Sequence, residues 1–557
     1  MAKLNNIVVT FEDGRKAECP IDTPVSTLLT SKTDEHGRHY LGAVVNNQLV
    51  TLMFKLEVDS SVRFLTFADP LGWRIYRATA SFLLAKVVKE LFPDAHFSIE
   101  HSLSTGFYCY FERDGVEGIT DEQIAAIDQR LKQLIAQDVA IERHKVNYGD
   151  AVKAFEQQQQ QDKLNLLRFG NPPKVVIYTS GAFADLSHGP LAASAGAVTH
   201  LGIVKHKPGF VLQFPDRSIP PQIPPLREEP QLFNIFQEHK KWGRILNVNT
   251  VGRLNEIIAN KEIADFIRIA EALHEKKIAQ IADHVAQHRD RIRWLLIAGP
   301  SSSGKTTFAK RLAVQLRVSG LQPVTISVDN YFVDRNHTPK DEKGDNDYEH
   351  IEAIDLKLFN DHLCRLDAGE KVDLPTFNFQ IGQQEFKGNS LQLKPNQMVI
   401  LEGIHCLNPR LTEQLANERK FRIYISALTQ LNLDSTNRIS TTDNRLVRRL
   451  VRDNQFRGHS ALVTMNMWPS VRRGEKTWIF PFQGHADIAF NSALDYELAV
   501  LKPLVEPLLA EVKPDNPSYV EARRMQEFLA SFLALPSDLV PPTSLLREFV
   551  GKSGFRY

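Results

Sequence analysis

Three stretches of this sequence place side chains in patterns suited to handling phosphate. Gly299-Pro-Ser-Ser-Ser-Gly304-Lys305-Thr306 fits GxxxxGK[ST], directly after the apolar run 293–298 and before the helical run Thr307–Leu316. Glycines there let backbone N–H groups turn inward around phosphate oxygens, and the following helix N-terminus adds a favourable dipole. The segment predicts nucleoside triphosphate contacts from Gly299, Ser301, Ser302, Ser303, Gly304, Lys305, Thr306 and Thr307. Lys305 would reach the β/γ-phosphates and Thr306 would ligate Mg²⁺.

The second stretch is a pair of strand ends. VTISVDNYF (324–332) reads as a β-branched strand that delivers Asp329 to its end, and MVILEG (398–403) as a buried strand ending in Glu402. Ligands gather at the C-terminal edge of a parallel sheet, so Asp329 can face the phosphate loop and take the proton of an attacking hydroxyl. Glu402 suits the polarising of Mg²⁺ or its waters. The third stretch runs from Asp443 to Arg457, with Arg445, Arg449 and Arg452 at helical spacing and Arg457 one turn on. Such a cationic face could close over a triphosphate, and its bland alternative is a solvated surface helix.

Positioning these residues takes a sheet with helices. Strands and helices alternate from about 293 to 512, which predicts an α/β domain with a parallel sheet. Pro215, Pro220, Pro221, Pro224, Pro225 and Pro230 mark a linker. Ile263, Phe266, Ile267, Ala270, Leu273, Ile281 and Val285 then hold helical spacing, so 215–292 reads as linker plus helical connector. Residues 1–68 read as a strand-rich unit, with strands near 7–10, 43–46, 49–52 and 62–67. A helix is predicted over 72–92, ending before Pro93, with strands at 107–112 and 174–178. In the tail, 513–557, an amphipathic helix over 521–539 either packs on the preceding domain or makes a dimer contact, and GKSGFRY reads as a flexible end. Trp468-Pro469 and Gly474 suggest a loop around Arg472 and Arg473, the clustered cations outside the arginine face.

Composition narrows the class. The 557 residues are 43% hydrophobic and 24% charged, enough for several packed cores without staples. Lys+Arg 67 against Asp+Glu 66 advertises neither nucleic acid nor an acidic partner. Cys19, Cys109, Cys364 and Cys406 are too scattered for a disulfide framework or a Cys-rich zinc module. With no signal-peptide pattern and no long apolar run, a cytoplasmic protein without a membrane partner is expected.

The order GPSSSGKTT, SVDNYF, DYEHIEAID (347–355), ILEGI and DxRLxRRxxRDxxxRG (443–458) resembles the uridine kinase and phosphoribulokinase family. That resemblance implies ATP and Mg²⁺, Asp329 as general base, and Arg449, Arg452 and Arg457 in a lid. It also puts Glu349 at the position of a ribose-binding acid. Uridine-cytidine kinases carry Pro-x-Tyr-Asp-Phe-x-x-His-x-Arg. This chain has Pro375-Thr-Phe377-Asn378-Phe379-Gln-Ile-Gly382-Gln-Gln384, which loses the base-reading hydroxyl, imidazole and guanidinium. Phe377, Asn378, Glu349 and Arg449 remain as the substrate-binding candidates, for a nucleoside-like or other small acceptor.

Residues 1–68 resemble a TGS domain, a ubiquitin-like β-grasp module, through AVVNNQLVTLMFKLEVDSSVRFL (43–65). Residues 69–214 resemble the second additional, editing domain of threonyl-tRNA synthetase, through YRATASFLLAKVVKELFP, HSLSTGFYCYFE and ADLSHGPLAASAG. That family's HxxxH and CxxxH pairs fall here on Ala78 and Phe82 and on Ser187 and Leu191, so its hydrolytic or metal-binding groups are gone. His101, His188 and His200 are isolated imidazoles and read as packed or surface residues.

Residues 1–220 hold 23 Lys+Arg and 25 Asp+Glu with no basic run, which makes RNA binding through 1–214 the weaker reading. The expected architecture is therefore multidomain: a β-grasp unit, an α+β editing-like domain, and an α/β P-loop kinase-like domain over 293–512. The expected activity is phosphoryl transfer from ATP to an acceptor hydroxyl, with the N-terminal half regulatory or structural. The alternative is an ATP-binding RNA- or ligand-sensing protein without small-molecule turnover.

Overall fold

The computed structural model describes residues 6–170, 172–342 and 344–556. Its catalytic-looking half is built on a five-stranded, wholly parallel sheet in the order Gln322–Ser327, Gln397–Glu402, Trp294–Ala298, Lys420–Ser426, Ile488–Asn491. The central strand Trp294–Ala298 is buried at every residue, as a strand covered on both faces requires. One face is covered by Lys305–Val318 together with Ile263–Gln287, whose Ile278, Ile281 and Val285 share a core with Leu295, Ile297, Phe308 and Leu312. The expected connector helix is thus part of this layer. Leu356–Asp367 covers the other face through Phe359, Leu363 and Leu366.

The linker 215–229 has no regular structure, and two helices follow it that the proline-led reading does not separate: Pro230–Leu246 and Val251–Ala259. The second is capped by the Thr250 side chain accepting from the Arg253 N–H.

The N-terminal unit is a mixed sheet in the order Lys16–Pro20, Asn6–Phe11, Ser60–Leu65, Gly42–Val45, Gln48–Val50, with the Asn6–Phe11 and Ser60–Leu65 pair parallel. Its buried side chains Ile7, Val9, Ala43, Val45 and Val62 make a small separate core. Pro70–Leu91 comes next, started by Pro at its first turn and ended before Pro93. It lies against a sheet built on Gly106–Arg113 and Gly209–Gln213. A second, three-stranded sheet pairs Glu142–Val146, Val175–Ser180 and Phe183–Leu186.

The two halves share a buried seam at loop 431–438. The Ser435 carbonyl accepts from the Ile99 N–H at 2.8 Å, and Asn432 donates to the Ile99 carbonyl at 2.9 Å. Lys163, 2% exposed, lies 2.8 Å from Asp185 and 2.5 Å from Asp434. Loop 431–438 leads through the Ser440 cap into helix Thr441–Arg457, the one carrying the arginine face. A second tie reaches that helix's first turn, where Arg524 bonds both Asp443, at 2.7 and 2.9 Å, and Glu521, which also pairs with Arg74.

Three expectations are corrected. The tail helix is Tyr519–Leu529, shorter than 521–539, because the chain turns after Leu529 toward Pro536. The terminal segment is docked: Gly554 donates to the Pro542 carbonyl at 2.9 Å, and Lys310 donates to the Arg556 carbonyl. Residues 468–474 are also not a loop; Ala461–Trp478 is one helix with Pro469 inside it.

Candidate active site

The phosphate loop spans the end of strand Trp294–Ala298 and the start of helix Lys305–Val318. Gly299 is required by crowding, since a Cβ there would sit 2.0 Å from the Ile425 carbonyl oxygen. Gly304 takes φ +85° and Ser302 φ +60°, the left-handed turns that aim N–H groups inward. The hydroxyls of Ser302 and Ser303 are buried with no hydrogen-bond partner, which suits an anion-binding loop. Lys305 donates to the loop's own Pro300 carbonyl at 3.2 Å, closing the loop across its mouth.

Helix Thr441–Arg457 holds this loop from behind. Arg445 donates to the Ser301 carbonyl at 2.8 Å and is paired with Glu475, both fully buried. Arg448 donates to the Ser302 carbonyl at 3.4 Å and is held by Glu497 and Ser492. Sequence spacing alone puts Arg445 on the cationic face; the structure makes it a buried brace, because Glu475 neutralises it. Arg449 donates to the Ser301 hydroxyl at 2.7 Å. Arg449, Arg452 and Arg457 converge on one buried carboxylate, Asp453, at 3.2, 2.7 and 3.6 Å. Three cations on one anion leave an excess of positive charge beside the loop, and burial with mutual repulsion lowers Arg457 to about 10.

Asp329 lies in the turn Val328–Tyr331, directly after strand Gln322–Ser327. Burial raises its carboxyl above the ordinary value, opposed by Lys305, Arg457 and Arg452. Glu402 ends the neighbouring strand, 7% exposed, and accepts from Ser327 at 3.0 Å and from the Thr306 hydroxyl at 3.5 Å. Burial, together with Asp329, pushes Glu402 up to about 7. Glu402 and the Thr306 hydroxyl beside it offer oxygen donors of the kind Mg²⁺ takes.

Glu349 is 9% exposed, and its Oε2 has no hydrogen-bond partner. Burial and Glu475 push it up to about 7, with Arg449 and Lys305 opposing. Gly474 makes room for it: a Cβ there would lie 2.2 Å from the Glu349 Cβ. Phe377 packs with Phe332 at 5.6 Å and Phe379 at 5.0 Å, and its N–H donates to Asn330 at 3.3 Å, next to Asp329.

Asn378 is spent on its own hairpin, its side-chain oxygen accepting from Gln380 and Ile381. Gly382, at φ +70°, lets Arg335 occupy the adjacent space, within 2.6 Å of where a Cβ would be. The two cations expected to lie outside the arginine face are both paired, Arg472 with Glu475 at 3.3 Å and Arg473 with Asp341 at 2.5 Å.

Sequence reasoning misses Glu475, Glu497, Ser492 and Glu548, the last of which accepts from Thr307. None of these has a motif signature, and each is recognisable only once the helices are packed. In the N-terminal half, Phe82 packs edge-on against Phe183 at 5.2 Å, Leu191 is buried, and the Ser187 hydroxyl donates to the Gly189 carbonyl. Among the described residues no cluster of three or more His, Cys, Asp or Glu is arranged for a metal ion. No described helix is long and apolar enough to cross a membrane.

Residues 295–499 match the Phosphoribulokinase / Uridine kinase family. The chain is also similar to threonine–tRNA ligases. It is 27% identical over 260 residues to that of Caldanaerobacter subterraneus subsp. tengcongensis, covering 44% of this chain and 39% of the ligase. It is 30% identical over 200 residues to that of Desulforamulus reducens, covering 36% and 31%. The chain therefore spans well under half the length of these curated relatives. Among solved structures, a possible uridine kinase from Bacillus stearothermophilus aligns over 38% of this chain and 97% of its own, with 18% identity and a TM-score of 0.25. The chain joins a threonyl-tRNA-ligase-like N-terminal part to a domain of the phosphoribulokinase and uridine kinase family, at 295–499.

Proposed function

We propose that residues 293–512 transfer the γ-phosphoryl group of ATP to a hydroxyl of a small acceptor. The observation that carries this reading is Asp329, a carboxylate of raised proton affinity at a strand end, surrounded by Lys305, Arg452 and Arg457. A pure nucleotide-binding module needs no such base. Asp329 takes the acceptor's proton as its oxygen attacks; a raised value makes it a better proton acceptor near neutral pH. Lys305 holds the β/γ-phosphates, and Arg449, Arg452 and Arg457 meet the charge spread over the transferring group. Mg²⁺ would be held by the Thr306 hydroxyl and Glu402 and would supply neutralisation of the phosphate oxygens.

The acceptor reading follows from what the pocket contains. Phe332, Phe377 and Phe379 offer ring faces, and Glu349 offers an unused oxygen to a hydroxyl. Groups that would read a pyrimidine are replaced by Phe377, Gly382 and Gln384, so a sugar-like or loosely read nucleoside acceptor is favoured over uridine. Of the two extra cations, Arg473 is paired with Asp341, and Arg472 shares Glu475 with Arg445.

Residues 1–68 are read as a TGS-like β-grasp unit, supported by the mixed sheet order with its central parallel pair. Residues 69–214 are read as an editing-like domain without editing chemistry, which orients the kinase half. The protein is read as cytoplasmic, with a small molecule rather than RNA as its partner. A second reading, ATP binding as a switch for sensing by the N-terminal half, is favoured by the seam that leads straight into the arginine helix.

The test is ADP release from Mg·ATP against a panel of nucleosides, sugars, sugar phosphates and pantothenate, with Lys305→Ala and Asp329→Asn alongside. Acceptor-dependent turnover lost in both variants supports the kinase. ATP binding with no acceptor response above those variants rejects it in favour of the switch.

A further inference from the structure

The C-terminal segment returns to the phosphate loop. It is anchored by Leu545, Leu546, Phe549 and Val550, all buried, and by Arg547, which donates to the carbonyls of Pro541 and Gly551. Phe549 lies 4.9 Å under the guanidinium of Arg448, the residue that braces the Ser302 carbonyl. Between these anchors, half-buried Glu548 reaches helix Lys305–Val318. Its carboxylate accepts from the Thr307 N–H at 3.0 Å and from the Thr307 hydroxyl at 2.8 Å. One turn along, Lys310 donates to the Arg556 carbonyl.

Thr307 is the third residue of that helix, so its N–H is one of the donors for which a helix start supplies no intrahelical acceptor. In a phosphate loop these donors are what cradles the α- and β-phosphates. A carboxylate bonded to both donors of Thr307 sits where a phosphate oxygen would sit, and it carries the same charge sign. Both cannot be there together: the nucleotide would lose these two bonds and meet a like charge at contact distance.

We propose that Glu548 is an internal occupant of the phosphate seat, and that the tail is an autoinhibitory strap. Nucleotide enters when the Glu548 side chain rotates off Thr307, while Phe549 and its neighbours keep the backbone in place. This rests on the nucleotide-site reading above.

The experiment measures binding to the full chain, without acceptor, of three probes: ATP, inorganic tripolyphosphate and adenosine. The proteins are wild type, Glu548→Ala and Glu548→Gln, with Lys305→Ala as the blank and thermal melts to check folding. Glu548→Gln is nearly isosteric and keeps an acceptor oxygen, so it guards against a simple packing defect. Both variants are expected to bind ATP and tripolyphosphate about tenfold or more tighter than wild type, with adenosine unchanged. Equal or weaker ATP binding in both variants overturns the strap while leaving the nucleotide site standing. Tightening for adenosine as much as for tripolyphosphate also overturns it, because the conflict would then not lie at the phosphates. If wild type and variants alike bind neither ATP nor tripolyphosphate, the nucleotide-site reading fails and the strap falls with it.

Discussion

Replacing Asp185 with Asn should make the protein more stable at neutral pH, although it removes half of an ion pair. The buried seam holds one ammonium, Lys163, among three carboxylates: Asp185 at 2.8 Å, Asp434 at 2.5 Å and Asp162 at 3.8 Å. Burial pushes Asp185 up to about 6, with Asp434 adding to the rise and Lys163 opposing it, whereas Asp434 is held below its ordinary value by Lys163. A carboxyl whose folded value lies above its unfolded one keeps in the folded chain a proton that the unfolded chain has released. Its contribution to stability therefore falls as pH rises from about 4 to about 6, and it stays lost above that. Carrying the value from 3.8 to about 6 costs about 3 kcal/mol, at ~1.4 kcal/mol per tenfold step.

Asparagine keeps one oxygen for Lys163, can turn its NH2 toward the Thr436 hydroxyl, now 3.0 Å from the other Asp185 oxygen, and is neutral at every pH. Lys163 then faces two carboxylates, Asp434 and the more distant Asp162, in place of three. Urea unfolding of wild type and Asp185→Asn at pH 5, 6, 7 and 8 should give curves that approach each other at pH 5. They should separate by up to about 3 kcal/mol at pH 7 and above, the variant being the more stable. A variant less stable than wild type at pH 7 by more than about 1 kcal/mol would refute the reasoning, since Asp185 would then be a net stabilising partner.

The same seam predicts the opposite sign for Lys163→Met, which leaves buried carboxylates without their cation; a loss of about 3–5 kcal/mol is expected in the same urea assay. Gly474→Ala should push Glu349 aside, because its Cβ would fall 2.2 Å from that of Glu349. The expected result is about 1–3 kcal/mol of destabilisation and an acceptor KM raised more than the KM for ATP, read by melts and steady-state kinetics. Thiol titration of the native chain should find Cys364 fast, as the exposed one, and Cys109 and Cys406 slow, since burial raises both thiols and shields them.

The parts of the site that depend on local geometry are legible in the sequence itself. A phosphate loop is one turn between one strand and one helix, so GPSSSGKT carries nearly all of its information within eight residues. Asp329 and Glu402 are legible for the same reason, each marking the end of a recognisable strand. The arginine helix is legible in position but not in role. Periodicity gives Arg445 and Arg449 the same face, yet only packing against Glu475 separates the buried brace from the cation facing Ser301. Proline misleads at 468–474, where Ser460 caps a helix that runs on through Pro469. The tail reads as a loose end because GKSGFRY lacks an apolar pattern, whereas its anchors, Leu545 to Val550, lie just before it.

The seam at loop 431–438 also bears on how such a chain can be rebuilt by recombination. Asp434 and Asn437 belong to the kinase half in sequence, yet their partners Lys163 and Leu186 belong to the other. A different phosphotransferase grafted onto this N-terminal half would arrive without them, leaving Lys163, 2% exposed, to Asp185 and Asp162 alone and the Leu186 carbonyl without Asn437. The two halves can therefore be inherited or engineered as a matched set, with the loop before the arginine helix serving as the key that identifies the set.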